Sequence, residues 1–234
     1  MKNEEERLNN IASNSKYAQG ANGWTTDYSF KIFKRFIVGS SILELGPAEG
    51  VMTRHLYQLD KDLTMVEASS EFCLNHERDF PKAKVVNSLF ENFRPERKFD
   101  NIILGHVLEH VENPIDVLRQ YKNYLNPHGR VICAVPNARS LHRQAAVILG
   151  LLESEESLNE ADVHHGHRRV YNPETFRNAF ISSGFQIEFF GGYWIKSLSN
   201  NQVEETHSKE MVEAFMKLGE RYPDVAAELV IVAS

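Results

Sequence analysis

The chain has 234 residues, of which 42% are hydrophobic, and a formal net charge of −6. This length and composition suit one sizeable α/β domain with a buried core. The acidic balance argues against a nucleic-acid-binding surface. Two cysteines exclude a disulfide framework and a cysteine-based zinc site. The apolar runs are too short to span a membrane and no signal-peptide pattern is visible, so we expect a cytoplasmic protein without membrane contact.

Short apolar runs alternate with helical patterns through the first two thirds of the chain. The predicted elements are strand 41–45, helix 50–59, strand 63–66, helix 70–78, strands 83–86 and 99–104, helix 114–124 and strand 130–135. Asn113 and Pro114 supply the cap and first position of one helix. Strands that alternate with helices predict parallel pairing and right-handed crossovers, hence a doubly wound sheet with helices on both faces.

The rhythm changes after residue 137. Helices are predicted over 141–152, 154–162, 173–183 and 203–219, and strands over 185–190 and 227–233. The last strand is expected to pair antiparallel at the sheet edge. We therefore predict an α/β fold with a mostly parallel, seven-stranded sheet. Its parts are a helical cap or lid over 1–40 with a flexible joint at 22–24, a core over 41–137, and substrate-covering helices and strands over 138–234.

A glycine-rich turn over residues 46–50 joins the first predicted strand to the first helix. In open α/β sheets ligands bind at the carboxyl ends of strands, and Gly46 and Gly50 permit a tight bend and close packing there. Glu67 ends the second strand about 20 residues further on, where an acid accepts hydrogen bonds from a ribose diol. The alternative for Glu67 is a solvated strand end.

Two features of the turn disfavour a dinucleotide, and with it an oxidoreductase. The pattern is Gly-x-Ala-x-Gly rather than the Gly-x-Gly-x-x-Gly that places a helix N-terminus against a pyrophosphate. Glu44, just before the turn, would repel phosphates but suit an ammonium group. A nucleoside with a cationic amino-acid tail, such as S-adenosylmethionine, meets both conditions.

The chain resembles the class I methyltransferases, particularly a small subgroup of ubiquinone-pathway and sugar-modifying enzymes. Four stretches carry the resemblance: Leu-Glu-Leu-Gly-Pro-Ala-Glu-Gly, Val-Glu-Ala-Ser, Phe-Asp-Asn-Ile-Ile-Leu-Gly-His-Val-Leu-Glu-His-Val and Leu-Asn-Pro-His-Gly-Arg-Val-Ile-Cys-Ala-Val-Pro-Asn. The last two are specific in combination, whereas the first two are degenerate. A weaker likeness continues from His165 to Phe185.

The resemblance implies S-adenosylmethionine as the cofactor and residues 41–137 as its binding core. It places the methionine end at Glu44, Gly46, Pro47 and Gly50, the ribose at Glu67 and Ala68, the adenine at Ser88 and Leu89, and the sulfonium side at Gly105 and His106. Two positions depart from the family pattern. Ala48 replaces a glycine of the turn, and Ser88 replaces an acid beside the adenine, which weakens the adenine assignment.

His106 follows the fourth predicted strand and is the first candidate base. A hydroxyl acceptor benefits from a general base, and histidine is the natural choice near neutral pH. If the segment is helical, His106, Glu109 and His110 share one face. Glu109 and His110 also suit a structural role in the loop.

A second histidine group, residues 164–167, is predicted to fold over the cofactor. We predict His165 or His167 as a general base and Arg168 as the partner of an anionic substrate group. No acid or cysteine stands beside these histidines at a clear ligand spacing, so no metal is expected.

The leading functional prediction is methyl transfer from S-adenosylmethionine to a small-molecule acceptor, favouring an oxygen of a sugar or polysaccharide precursor. N-methylation and a non-catalytic S-adenosylmethionine-binding regulatory module are the alternatives. Aromatic residues of the cap (Trp24, Tyr28 and Phe30) either cover the cofactor or simply pack. The helix over 203–219 would form a homodimer or cover its own sheet.

Overall fold

The computed structural model describes residues 18–234, so the start of the predicted cap, residues 1–17, lies outside the described part. The strands are β1 (Ser41–Leu45), β2 (Asp62–Glu67), β3 (Lys84–Asn87), β4 (Phe99–Gly105), β5 (Leu125–Pro136), β6 (Ile187–Tyr193) and β7 (Glu228–Ala233). The helices are α1 (Gly20–Phe33), α2 (Val51–Tyr57), α3 (Ser70–Asp79), α4 (Pro114–Lys122), α5 (Leu141–Ile148), α6 (Glu160–His164), α7 (Pro173–Ser182), α8 (Asn200–Thr206) and α9 (Lys209–Gly219).

The strands form one sheet in the order β3-β2-β1-β4-β5-β7-β6. The first five strands in this order pair in parallel. The chain runs outward in one direction from β1 to β3 and then returns to place β4 on the other side of β1. This reversal is the switch point at which open α/β sheets bind ligands. The carboxyl ends of β1 and β4 therefore lie side by side.

The final strand differs from its predicted place at the edge. β7 lies between β5 and β6 and pairs antiparallel with both, so that β6 forms this edge of the sheet. All six residues of β7 are buried. A strand in this position has its backbone groups paired on both sides, which a fully buried apolar run requires. The predicted class, a mostly parallel seven-stranded α/β sheet, is confirmed.

Helices cover both faces of the sheet because side chains of each strand alternate between them. Leu43 and Leu45 of β1 join a core with α4 and α7, whereas Ile42 joins the opposite core with α1, α2 and α9. Neighbouring strand residues thus contribute to different cores. Since β6 and β7 belong to the same sheet, the C-terminal third packs with the predicted core.

Three local predictions were wrong in detail. Residues 22–24, predicted as a flexible joint, lie inside α1. The helix predicted over 203–219 is interrupted at His207, which is extended, and α9 begins after Ser208, whose hydroxyl accepts the Met211 amide. The helix predicted over 154–162 is replaced by α6, which begins after Asn159, whose side chain accepts the Asp162 amide. In both segments a polar side chain binds the backbone locally and so sets the start of a new helix.

Candidate active site

A cavity of about 510 Å³ lies at the carboxyl ends of β1, β2 and β4. Its volume is in the range of small-molecule sites, roughly 300–1,000 Å³. Ten predicted site residues line it: Glu44, Gly46, Pro47, Glu67, Ala68, Leu89, Gly105, His106, His165 and His167. Gly50, Ser88 and Arg168 are not among its lining residues.

The two glycines of the turn have different roles. Gly46 has φ of +62°, and a Cβ there would stand 3.2 Å from Val107 Cγ2, so a side chain would fill the cavity wall. Gly50 also has a positive φ, of +77°, but its hypothetical Cβ meets His76 Cε1 at 3.0 Å. Gly50 therefore acts by letting the turn pack on α3, whereas Gly46 borders the ligand space directly.

Glu67 stands at the end of β2 with its carboxylate fixed by the backbone. Oε1 accepts the Ser69 amide at 2.8 Å, and Oε2 accepts the Ala48 amide at 3.3 Å. Burial raises the pKa of Glu67 although these amides lower it. Each oxygen keeps lone-pair capacity beyond its one amide. This geometry fits a ribose diol, which would donate one hydrogen bond to each oxygen.

Two further acids line the part of the cavity beside the turn. Glu44 is 2% exposed, accepts the Thr53 hydroxyl at 2.8 Å, and has its pKa raised to about 8 by burial. Among residues 18–234, Glu49 Oε2 is a buried atom without a hydrogen-bond partner. Buried acids of this kind require a compensating partner. The cationic tail of S-adenosylmethionine fits this requirement.

The wall of the cavity beyond β3 is largely apolar. Leu89, Phe90 and Phe72 line it, and the last two were not predicted from the sequence. Ser88 does not line the cavity, and its hydroxyl donates to the Leu89 carbonyl at 2.9 Å. Stacking aromatic and aliphatic surfaces suit the faces of a purine.

His106 begins the other half of the cavity, which we call the acceptor half and define by His106, Glu109, His110, His167, Lys196 and Glu228. The segment from His106 to His110 is a turn rather than a helix, and His106 has a positive φ of 60°. His106 Nδ1 nevertheless lies 3.4 Å from Glu109 Oε1 and 3.8 Å from Glu228 Oε2. Its Nε2 lies 3.4 Å from the Tyr193 hydroxyl. Burial lowers the pKa of His106, but the two carboxylates outweigh burial and raise it.

Glu228 and Lys196 were not predicted. Glu228 starts β7 opposite Tyr193 of β6, and burial raises the pKa of its carboxyl. Burial lowers the pKa of Lys196 to about 8. Lys196 Nζ donates to Asn200 Oδ1 at 2.7 Å. The signal in the sequence was one charged residue, Glu228, near the start of an otherwise apolar final strand.

The histidine segment contributes His167 to the acceptor half. His167 Nδ1 lies 3.0 Å from Asp162 Oδ1, and the rings of His167 and His110 meet edge to face with centroids 4.8 Å apart. Arg168 is exposed, and its Nε donates to the His110 carbonyl at 2.9 Å. The predicted contact of Arg168 with an anionic substrate group stays a prediction.

The described part of the cap, from residue 18 on, contributes polar rather than aromatic residues to the cavity. Asn22, Thr25 and Thr26 of α1 line it. Tyr28 is buried against Tyr193, with ring centroids 5.6 Å apart, so it packs instead of covering the cavity. In residues 18–234 no helix is long and apolar enough to cross a membrane.

Comparison with known proteins identifies the family of this chain. The family described as "Methyltransferase domain" matches residues 23–188. The chain is 25% identical over 137 residues to the mitochondrial ubiquinone biosynthesis O-methyltransferase of Schizosaccharomyces pombe, a match that covers 55% of this chain and 50% of the relative. The chain thus spans about half the length of that curated relative.

Solved structures share the fold at low sequence identity. An S-adenosylmethionine-dependent methyltransferase from Mesorhizobium loti has a TM-score of 0.64 at 16% identity, covering 89% of this chain and 97% of that one. The plantazolicin methyltransferase BpumL has a TM-score of 0.64 at 17% identity, with coverage of 96% and 89%. The glycopeptide N-methyltransferase MtfA has a TM-score of 0.60 at 13% identity, with coverage of 90% of each chain. The chain belongs to the methyltransferase-domain family, and its fold is that of the S-adenosylmethionine-dependent methyltransferases.

Proposed function

We propose that this protein transfers a methyl group from S-adenosylmethionine to an oxygen of a small polar acceptor, a sugar or polysaccharide precursor. The observation that carries the proposal is one cavity with two chemically distinct halves. The turn and Glu67 suit the nucleoside, whereas histidine and acid side chains line the acceptor half. The distant likeness to a ubiquinone biosynthesis O-methyltransferase supports oxygen as the acceptor atom.

In the proposed reaction, residues around the cavity bind the cofactor and remove the proton from the acceptor. Glu67 holds the ribose hydroxyls, and Glu44 and Glu49 lie beside the methionine end. When bound, S-adenosylmethionine supplies an electrophilic methyl group whose carbon–sulfur bond breaks as the acceptor oxygen attacks. His106 takes the proton from the acceptor hydroxyl, and Glu109 stabilises the resulting imidazolium. Alignment of the two reactants supplies much of the rate in such a displacement.

Glu228 and Lys196 would orient the acceptor. The Glu228 Oε2 atom is buried without a hydrogen-bond partner in the described part of the chain, so an acceptor hydroxyl donating to it gains a full hydrogen bond. Lys196 offers a donor on the same wall of the cavity. His165 and His167, which line the cavity, remain candidates for contact with the substrate.

N-methylation is the second candidate, and the paired acids Glu109 and Glu228 favour it. Two buried carboxylates attract an amine, although a nitrogen nucleophile must lose its proton before it attacks. The glycopeptide N-methyltransferase among the structural neighbours is compatible with this alternative. A non-catalytic S-adenosylmethionine-binding module is the third.

Calorimetric titration with S-adenosylhomocysteine, with NADH as the control, tests the cofactor half first. A panel of sugars, nucleotide sugars, phenols and amines, with S-adenosylhomocysteine release as the readout, then tests the acceptor half. Methylation of a sugar hydroxyl supports the proposal, and methylation of amines alone would replace it with the second candidate. Cofactor binding with no turnover across the panel would favour the regulatory module.

A further inference from the structure

Three side chains of the acceptor half stand close enough to share one ion. Glu109, His110 and His167 each offer one ligand atom, and these atoms all lie within 4.8 Å of one another. All three residues line the cavity. Their proximity depends on a backbone contact between two distant segments, in which the Arg168 amide donates to the Glu109 carbonyl at 2.8 Å.

Outer contacts orient both histidines as metal sites require. His167 Nδ1 lies 3.0 Å from Asp162 Oδ1, and Arg143 Nη1 holds the other oxygen of that carboxylate at 3.0 Å. The ring of His110 is hydrogen-bonded to the backbone of Gly166. A histidine that donates one ring N–H to a carboxylate or carbonyl keeps the lone pair of its other nitrogen for a metal ion.

The buried carboxylate of Glu109 also favours a cation at this place. Its side chain is fully buried, and within residues 18–234 neither carboxylate oxygen accepts a hydrogen bond. His106 Nδ1 lies at ion-pair distance from Oε1, but without hydrogen-bond alignment. Buried charges in proteins are paired or bind metal ions. His106 pairs with one oxygen of Glu109, and the other oxygen, Oε2, has capacity for a second cation.

We propose that Glu109, His110 and His167 bind a divalent transition-metal ion of the Zn²⁺ or Mn²⁺ class in the acceptor half of the cavity. Two imidazoles and one carboxylate suit this class better than Mg²⁺ or Ca²⁺, which prefer oxygen ligands. Three protein ligands leave coordination positions open, as in catalytic rather than structural sites. The proposal reverses the expectation from the sequence, in which no acid stood beside the histidines at ligand spacing.

An open coordination position would receive an oxygen of the acceptor. A bound divalent ion lowers the pKa of a coordinated hydroxyl, which would favour oxygen over an ammonium group as the methyl acceptor. This consequence rests on the proposed function. The binding of the ion does not, because it depends only on the three ligands and their outer contacts.

Equilibrium dialysis of the purified, chelator-treated protein against Zn²⁺ or Mn²⁺, with elemental analysis, tests the site. We expect about one ion per chain, and at least tenfold weaker binding in Glu109→Gln and His167→Ala, since even outer-shell changes weaken metal sites by 10–100-fold. His164→Ala is the matched control, because His164 is exposed on the same segment and does not line the cavity. Wild-type protein that binds neither ion, or an equal loss in the control, would overturn the proposal.

Two further readouts separate a metal defect from misfolding and from failure of the proposed function. Co²⁺-loaded wild-type protein should show visible absorption that His167→Ala loses, and thermal melting reports whether each variant folds. If Glu109→Gln does not fold, His167→Ala alone decides. Metal binding without any methyl transfer would leave the site standing and contradict the proposed reaction, whereas methyl transfer with no metal binding would do the reverse.

Discussion

Glu67→Gln tests the ribose contact most directly. The carboxylate is 8% exposed, and each oxygen accepts one backbone amide, from Ser69 or Ala48. Glutamine puts an NH₂ group in place of one oxygen, so one amide N–H of the backbone would face another donor and one ribose hydroxyl would lose its acceptor. Hydrogen bonds to charged groups contribute about 1.5–3 kcal/mol each. We expect S-adenosylhomocysteine to bind about 2–3 kcal/mol more weakly, or about 30- to 150-fold.

Isothermal calorimetry measures this dissociation constant, and thermal melting checks the fold. Glu77→Gln is the matched control, because Glu77 is an exposed residue of α3 that does not line the cavity. We expect the control to bind like the wild type. A folded Glu67→Gln variant with a dissociation constant within about threefold of the wild type, less than about 0.7 kcal/mol, would refute the ribose assignment.

Three other predictions concern the turn and the acceptor half. Glu44, with its pKa raised to about 8, is protonated in the free protein at pH 7. A ligand ammonium group beside it favours the ionised carboxylate, so cofactor binding should release a proton. The affinity for the cofactor should therefore increase as the pH rises toward 8. Calorimetry in buffers of different ionisation enthalpy would count that proton, and no release contradicts the contact. Gly50→Ala should lower the free energy of unfolding more than Gly150→Ala. Both glycines have a positive φ, so alanine adds about 1–2 kcal/mol of backbone strain at either position, but of these two only Gly50 has a close neighbour for a Cβ. Equal losses of stability in urea unfolding would exclude a packing role for Gly50. Glu228→Gln should lower turnover of the identified acceptor while leaving the dissociation constant of S-adenosylhomocysteine unchanged, and a parallel loss of both would place Glu228 in the cofactor half.

Residues close to one another along the chain could be assigned from their pattern. The turn over residues 46–50 follows an apolar run, and Glu67 follows the next one, so the alternation of strands and helices put both at one edge of the sheet. Ser69, which directly precedes the predicted helix over 70–78, is of a residue type favoured at helix N-caps, and its hydroxyl accepts the Phe72 amide in the structure. These features depend on local backbone geometry and on the parallel βαβ rule, both of which a sequence expresses directly.

The acceptor half could be predicted only in part. His106 was identified because it directly follows a strand, but its contacts with Glu228 and Tyr193 depend on β7 entering the sheet between β5 and β6. An apolar strand carries no signal of which neighbours it will pair with, and the prediction of an edge position missed this one. On the predicted adenine side Leu89 lines the cavity, whereas the rotamer of Ser88, which the sequence does not express, turns its hydroxyl to the backbone.

The sequence by itself determined the fold class, and it predicted the cofactor and the residues at the nucleoside end of the cavity, because glycine turns, strand-end acids and hydrophobic alternation act over a few residues. Only the tertiary structure decided that Glu109 and His167 stand together and that Glu228 faces His106. Those pairs come from segments far apart in the chain, and their distances follow from strand order, register and a few loop hydrogen bonds. Their chemistry therefore exists only once the sheet has assembled.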